Sequence, residues 1–152
     1  MKKLLFISSY FLILLIFKTN PLMSQNMIYN FDNNSDLEKW VIVNDDVMGG
    51  ISSSNLIIEN DGNGVFEGRI STAYNGGFSS LRLNCKKIFV KENTHFKIKI
   101  KGDGKDYQFR IKSNRDDYYS YIISFKTSGE WETIAIPIKE MYASFRGRKL
   151  DM

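Results

Sequence analysis

The sequence is poor in the residues on which most metal sites, disulfide scaffolds and serine-type active sites depend. Its 152 residues include one cysteine, Cys85, and one histidine, His95. A single cysteine cannot close an internal disulfide, and a single histidine cannot complete a transition-metal set. We therefore predict that Cys85 is a small buried or half-buried residue and that His95 lies on the surface.

Long apolar runs are absent beyond the amino terminus. Residues 4–17 form an apolar stretch after Lys2 and Lys3, and a plausible cleavage site follows at residues 22–24. This arrangement is typical of a secretory signal, and the stretch is shorter than the roughly 20 residues of a membrane-spanning helix. We predict a signal over residues 1–24, one domain over residues 25–152 and a periplasmic or extracellular location, with no stable membrane anchor after cleavage.

The remaining chain has no excess of one charge sign. The formal net charge of +4 includes three lysines of residues 1–24, so residues 25–152 carry 18 basic and 17 acidic side chains. Lys97, Lys99 and Lys101 alternate with isoleucines and therefore share a strand face. Such a stripe is typical of a solvated face, and nucleic-acid binding would need denser clustering, so we predict no nucleic-acid partner.

Short β-rich runs, separated by turn residues, make up most of the chain. A single helical turn is predicted after Ser35, whose side chain together with Glu38 fits a capping box. Glycine-rich turns at residues 60–64 and 102–104 are predicted to close hairpins. The runs predict an all-β sandwich or barrel with mostly antiparallel strands. They are residues 27–31, 56–59, 65–71, 78–83, 96–101, 107–112, 119–126 and 131–137.

Alternation within these runs separates a packed face from a wet face. Tyr107, Phe109 and Ile111 face one way along their strand, and the polar residues between them face the other. Large apolar residues from other runs are expected to fill the space between two sheets. They are Phe66, Phe89, Trp131, Ile134 and Ile136.

One loop is unlike the others, because the strand-like run at residues 40–43 changes abruptly into polar and glycine residues. Residues 44–54 contain two adjacent carboxylates, two glycines and three consecutive serines. Further glycine clusters follow at residues 74–82 and 101–107. Glycine lets backbone amides approach closely, and aspartate can accept hydrogen bonds from those amides. These features suit a ligand site or a tight structural corner, and the sequence leaves both open.

In this order, the three segments resemble the complex I intermediate-associated protein 30 family, from about residue 31 to residue 150. The resemblance implies an all-β, galactose-binding-like jelly-roll β-sandwich that binds partners without catalysis or a cofactor. Family members usually continue beyond residues 146–150, so we expect this chain to lack the last strands of the sandwich. It is then a shortened family member, or one strand edge is open to self-association or a partner. The candidate binding residues that match the family pattern are Asn44, Asp45, Asp46, Met48, Gly49, Gly50, Ser52, Ser54, Gly76, Gly77, Phe78, Ser80 and Arg82.

On this basis we expect an exported, non-catalytic binding or assembly module whose partner is a protein or a glycan. The alternatives are a carbohydrate-binding module, with Tyr74, Tyr118 and Tyr119 as its aromatic platform, or a two-carboxylate glycoside hydrolase. The side chains of Asp45 and Asp46 diverge on extended backbone, which argues against a dyad that shares a proton.

Three further roles can be weighed from residue types. Oxygen ligands at Asp45, Asp46 or residues 60–63 would suit calcium, but no EF-hand spacing is present, so no metal is predicted. Residues 102–104 lack the Gly-Lys-Ser/Thr tail of a phosphate-binding loop. Arg82 lies in a strand pattern, and its guanidinium is predicted to clamp Asp45 or Asp46.

Overall fold

The computed structural model describes residues 25–151. In this part the chain forms ten β-strands and four short 3-10 turns, with no α-helix. Every strand pair is antiparallel. The predicted all-β, antiparallel fold is therefore confirmed, and it is consistent with a β-sandwich. The chain divides between Cys85 and Lys86 into two compact units.

The first unit holds two antiparallel strand pairs. Strand β1 (Trp40–Asn44) pairs with β4 (Ser79–Leu83), and β2 (Ser53–Ile58) pairs with β3 (Gly64–Arg69). The turn that joins β2 to β3 places Gly62 at a φ of 83°, which glycine adopts without strain. The hairpin predicted at this turn is confirmed.

The start of this unit is held by aromatic packing. Residues 27–31, predicted as a strand, form no strand. Instead, the rings of Tyr29 and Phe31 lie 5.1 and 5.3 Å from the Trp40 ring, measured between centroids. Packing of large aromatic surfaces therefore replaces strand pairing at this position.

The predicted helical turn is present as the 3-10 turn Leu37–Lys39. Its cap is Asp36, whose carboxylate accepts from the Glu38 N–H at 3.0 Å. The Ser35 hydroxyl instead accepts from the Asp32 N–H, so the predicted capping box between Ser35 and Glu38 is wrong.

The second unit is built from the remaining six strands. Its buried apolar residues are Ile122, Ile136 and Ala143, and the rings of Phe96 and Phe109 lie 5.2 Å apart. The strands are β5 (His95–Lys101), β6 (Asp106–Ile111), β7 (Ser120–Lys126), β8 (Trp131–Pro137), β9 (Tyr142–Phe145) and β10 (Arg148–Lys149). A four-stranded sheet has the order β10-β9-β7-β6, and β5 pairs with β8.

The hairpin predicted at residues 102–104 is wrong, because β5 pairs with β8 and not with β6. The buried Thr127 hydroxyl accepts from the Gly104 N–H at 3.1 Å and donates to the Lys105 carbonyl at 3.0 Å. A Cβ at Gly102 would overlap this threonine. These bonds attach the turn to the residue that follows β7. The chain therefore leaves the β5–β8 pair and enters the four-stranded sheet at β6.

Several residues predicted to be packed are exposed, including Phe66 at 37% and Tyr107 at 36%. Cys85 is exposed, Phe89 is 90% exposed and Trp131 is 50% exposed. Cys85 and Phe89 lie in residues 84–94, a connection without strand pairing. Trp131 is opposite Lys101 in the β5–β8 register, and it therefore shares the polar face of that pair.

The predicted signal at residues 1–24 lies outside the described residues. From residue 25 to residue 151, no helix has the length and apolar character needed to cross a membrane.

Candidate functional site

Both strand pairs of the first unit end at one corner. Asn44 at the end of β1 lies opposite Ser79, and Ser53 at the start of β2 lies opposite Arg69. Since β1 runs through a short loop into β2, that loop lies between the ends of the two pairs. The segments brought together here are residues 45–52, 70–71 and 76–78.

Asp45 is at the centre of this corner, with a side chain that is 0% exposed. Its Oδ1 accepts from the Ser52 N–H at 2.8 Å, and its Oδ2 accepts from the Ser52 hydroxyl at 2.5 Å. Oδ2 also accepts from the Gly77 N–H at 2.6 Å and the Phe78 N–H at 3.4 Å. The Ser52 hydroxyl accepts in turn from the Ser71 N–H at 2.9 Å. We call these five residues the carboxylate corner.

Two opposing effects set the protonation state of Asp45. Burial raises the pKa of the carboxyl, but hydrogen bonds from Ser52, Gly77 and Phe78 outweigh it and lower the pKa from 3.8 to about 2. The side chain is therefore a carboxylate at neutral pH, and its oxygens are already occupied by protein donors. Such an arrangement holds three chain segments together and leaves little capacity for a ligand.

Acid should remove the contribution of Asp45 to stability. The pKa of Asp45 is about 2 in the folded chain, against an ordinary value of 3.8. The carboxylate therefore stabilises the fold above about pH 4, and this contribution is lost as the pH falls through about 2. We expect the difference in Tm between wild type and Asp45→Asn to narrow over this range. Circular dichroism melts at a series of pH values would measure it.

The comparison with Asp45→Asn is needed because Asp103 also titrates there. Hydrogen bonds from Lys105 and Tyr107 lower the pKa of Asp103 to about 2. That residue is present in both proteins, so its effect cancels in the difference. A difference in Tm that stays constant down to pH 2 would contradict the assignment to Asp45.

Glycine is required at two positions beside the carboxylate corner, because the Asp45 carboxyl occupies the space that a side chain there would need. A Cβ at Gly50 or Gly76 would overlap this carboxyl, and at Gly76 it would also lie 2.9 Å from the Ser71 carbonyl oxygen. Gly49 is needed for a different reason. It ends the 3-10 turn at residues 45–48 with a φ of 88°, a left-handed conformation that favours glycine.

A second hydrogen-bonded network links β1, β2 and β4. The Ser54 hydroxyl donates to Asn44 Oδ1 at 2.8 Å and lies 2.6 Å from the Ser79 hydroxyl. The Ser80 hydroxyl donates to the Val43 carbonyl at 3.2 Å. The candidate residues Asn44, Ser54 and Ser80 are thus also engaged by the protein itself.

The predicted clamp between Arg82 and a carboxylate is wrong. Arg82 is exposed, and its Nε donates to the Ser80 hydroxyl at 3.2 Å. It lies three residues along β4 from Ser79, which is about 10 Å of extended strand from the corner. Backbone amides therefore take the role that we assigned to the guanidinium.

The outer side of the loop after β1 is exposed and largely apolar. Val47 is 68% exposed, Met48 55% and Ile51 59%. We call these three residues the apolar lip. Asp46, just before Val47, and Gly49, just after Met48, are also exposed. The Asp46 carboxylate accepts from the Val47 N–H at 3.0 Å, so it supports its own turn.

The candidate binding residues given above do not include Ser71, Val47 or Ile51, although Val47 lies within the segment that resembles the family. Ser71 joins the corner through its backbone N–H, which no residue type reveals. The two apolar residues did carry a signal, because they interrupt a polar loop outside any strand. Tyr74, one of the aromatic residues of the carbohydrate-binding alternative, is 72% exposed and has a φ of 56°.

The oxygen atoms considered for calcium are engaged in the fold. Both carboxylate oxygens of Asp45 accept hydrogen bonds within the carboxylate corner. The Asp61 carboxylate accepts from the N–H and the side-chain amide of Asn63. Across residues 25–151, no three or more His, Cys, Asp or Glu side chains are grouped in a way that could hold a metal ion. The expected absence of a metal stays a prediction.

Three similar proteins carry related names. The chain is 26% identical over 145 residues to the "Probable complex I intermediate-associated protein 30, mitochondrial" of Caenorhabditis briggsae, and equally to that of Caenorhabditis elegans. The aligned part is 81% of this chain and 43% of each relative. With the mouse protein "Complex I intermediate-associated protein 30, mitochondrial", identity is 21% over 149 residues, covering 83% of this chain and 45% of that protein. The chain thus spans under half the length of these relatives.

The predicted periplasmic or extracellular location is contradicted by these names, since all three relatives are mitochondrial. The prediction relied on a basic start, an apolar stretch and a cleavage site at residues 22–24. A basic amino-terminal segment is common to secretory signals and organelle transit peptides, so it does not distinguish compartments.

A family comparison covers almost all of the described chain. The model of the family described as "Complex I intermediate-associated protein 30 (CIA30)" matches residues 29–152. This range includes all thirteen candidate residues and all ten described strands. The chain belongs to the complex I intermediate-associated protein 30 family.

Proposed function

We propose that this chain is a non-catalytic protein-binding module that acts in the assembly of a larger complex. Its relatives are named for association with complex I intermediates, and we propose such intermediates as the partner class. The observation that carries the proposal is the apolar lip, which presents Val47, Met48 and Ile51 to solvent at 55 to 68% exposure. Contiguous exposed apolar residues favour a protein interface.

The carboxylate corner gives this lip a fixed shape. Val47 and Met48 follow Asp45 directly, and Ile51 lies between Gly50 and Ser52, both of which contact the Asp45 carboxyl. A loop held at both ends loses little conformational freedom when it binds. The lip is thus suited to act as a binding anchor, although it lies outside regular strands.

The chemistry of the corner supports binding rather than catalysis. A general acid must hold a proton near neutral pH, whereas the pKa of Asp45 is lowered to about 2. A nucleophilic carboxylate needs a free oxygen, and both oxygens of Asp45 accept hydrogen bonds from the protein. The Asp45 and Asp46 pair therefore offers poor support for the glycoside hydrolase alternative.

Polar substitution of the lip should weaken partner binding strongly without unfolding the protein. We expect Val47→Ser together with Met48→Ser to weaken binding at least tenfold, because buried apolar anchors dominate interface energies. Purified chain carrying a photo-crosslinker at position 51 would be mixed with isolated complex I intermediates. Crosslinked subunits would then be identified and quantified by mass spectrometry.

The matched control is Phe89→Ser together with Val90→Ser. These residues are 90% and 41% exposed and lie in another segment, so a comparable amount of exposed apolar surface is removed. Unchanged crosslinking in the lip variant, or equal loss in both variants, would refute the lip as the interface. If no subunit is captured and Tyr74→Ala abolishes binding on a glycan array, the carbohydrate-binding alternative is supported instead.

A further inference from the structure

Charge is divided unequally between the two compact units. Residues 25–85 contain three basic and eight acidic side chains, whereas residues 86–152 contain fifteen basic and nine acidic ones. The near-neutral total therefore conceals an acidic first unit and a second unit with a formal net charge of +6. Asymmetry of this kind indicates that the second unit favours an anionic partner.

Part of this positive charge forms an ordered stripe on the β5–β8 pair. Lys97, Lys99 and Lys101 are all exposed and project from one face of β5. Alternate residues of a strand are about 6.8 Å apart, so the three ammonium groups follow one line about 14 Å long. The intervening isoleucines are half-buried on the opposite face.

The partner strand adds flat and aromatic surface to this stripe. In the register of the pair, Lys97 lies opposite Ala135, Lys99 opposite Thr133 and Lys101 opposite Trp131. We call these six residues the lysine face. Two of its β8 side chains, Ala135 and Thr133, are small and project little beside the lysines, and none of the six residues is a carboxylate.

The charged groups of the lysine face are available to a partner. The three lysines form no ion pair with any residue between 25 and 151. Lys99 Nζ lies 5.4 Å from the centroid of the half-exposed Trp131 ring, a cation–π contact that holds the indole at the level of the ammonium groups.

We propose that the lysine face binds the surface of an anionic phospholipid bilayer, as a peripheral contact. A flat, carboxylate-free face with charge spread along a line fits a planar array of negative headgroups. Tryptophan prefers the boundary between headgroups and acyl chains, and lysine suits diffuse attraction without specific geometry.

Other anionic partners fit this surface less well. Single-stranded nucleic acid is usually held in a groove by several stacking aromatic rings, whereas this face has one ring and no groove. Recognition of an acidic protein would be favoured by arginine, whose planar fork matches carboxylates, and the lysine face has none. The lysine face shares no residue with the apolar lip, so this proposal and the proposed function fail independently.

Co-sedimentation of the full chain with lipid vesicles would test the proposal. We expect binding to vesicles of equimolar phosphatidylglycerol and phosphatidylcholine, weakened by added salt, and much weaker binding to phosphatidylcholine alone. Lys97→Gln, Lys99→Gln and Lys101→Gln together should reduce affinity for the anionic vesicles on the order of 100-fold. Residues 1–24 are the same in every variant, so neutral vesicles report the contribution of that apolar stretch.

A matched variant distinguishes binding by the lysine face from attraction by the net charge of the second unit. Lys86→Gln, Lys91→Gln and Lys139→Gln remove the same charge from exposed positions of the same unit, and binding should stay within about threefold of wild type. Brominated phosphatidylglycerol should quench fluorescence in wild type more than in Trp131→Phe. Equal loss in both triple variants, no preference for anionic vesicles, or lysine-dependent binding of an oligonucleotide but not of vesicles would overturn the proposal.

Discussion

Asp45→Asn should lower the Tm by about 10 °C or more at neutral pH. The substitution keeps the shape of the side chain but replaces one acceptor oxygen with an NH2 group that can only donate. If the amide oxygen takes the Oδ2 position, the NH2 group faces the Ser52 N–H. In the other orientation, it faces the Ser52 hydroxyl and the Gly77 N–H. Buried donors are left without an acceptor in either case.

The neighbouring carboxylate provides the control for this prediction. Asp46 is exposed and accepts only from the adjacent Val47 N–H, so Asp46→Asn should shift the Tm by no more than about 2 °C. Thermal melts followed by circular dichroism would measure both variants. Similar Tm values for the two variants would show that the carboxylate corner does not hold the first unit together.

Gly50→Ala should destabilise the fold by about 2 kcal/mol or more, as expected when a well-packed site is overfilled. The added Cβ would overlap the Asp45 carboxyl, and it would lie 2.8 Å from the Asp45 Cβ. Urea denaturation would give the change in the free energy of unfolding. Gly104→Ala is a useful comparison, because no atom lies within 4 Å of its added Cβ and only its φ of 81° opposes the change.

A double-mutant cycle can attribute this loss to the overlap itself. Asp45→Ala removes the carboxyl carbon and oxygens, so adding Gly50→Ala to that background should cost less than in wild type. The two substitutions should therefore be non-additive, with a coupling of about 1 kcal/mol or more. Strict additivity would mean that Gly50 is required for a reason unrelated to Asp45.

The sequence allowed the fold class and most strands to be predicted, because alternation and turn residues are local signals. The run at residues 119–126 and β7 overlap closely, and the turn around Gly62 closes its hairpin as predicted. The pairing of β5 with β8 could not be read in this way. It depends on which apolar faces meet, and the buried Thr127 redirects the chain after β5.

The candidate site was predicted as a set of residues but not as an arrangement. Adjacent carboxylates and paired glycines correctly indicated that backbone amides approach an aspartate. Spacing did not show that Asp45 is buried while Asp46 is exposed, since this depends on the 3-10 turn that begins at Asp45. Nor could it show that amides of Gly77 and Phe78, more than thirty residues away, replace Arg82 as donors.

The hydrogen bonds of the carboxylate corner also help to fix the register of the strands in the first unit. Gly77 lies just before β4, so its bond to Asp45 depends on the alignment of β1 with β4. The Ser52 hydroxyl, which Asp45 holds just before β2, accepts from the Ser71 N–H after β3, so that bond depends on the alignment of β2 with β3. Sliding either pair by one residue would displace a donor by about 3.4 Å, beyond hydrogen-bonding distance. One buried carboxylate thus penalises misaligned versions of both pairs, including those that would bury the same number of apolar side chains.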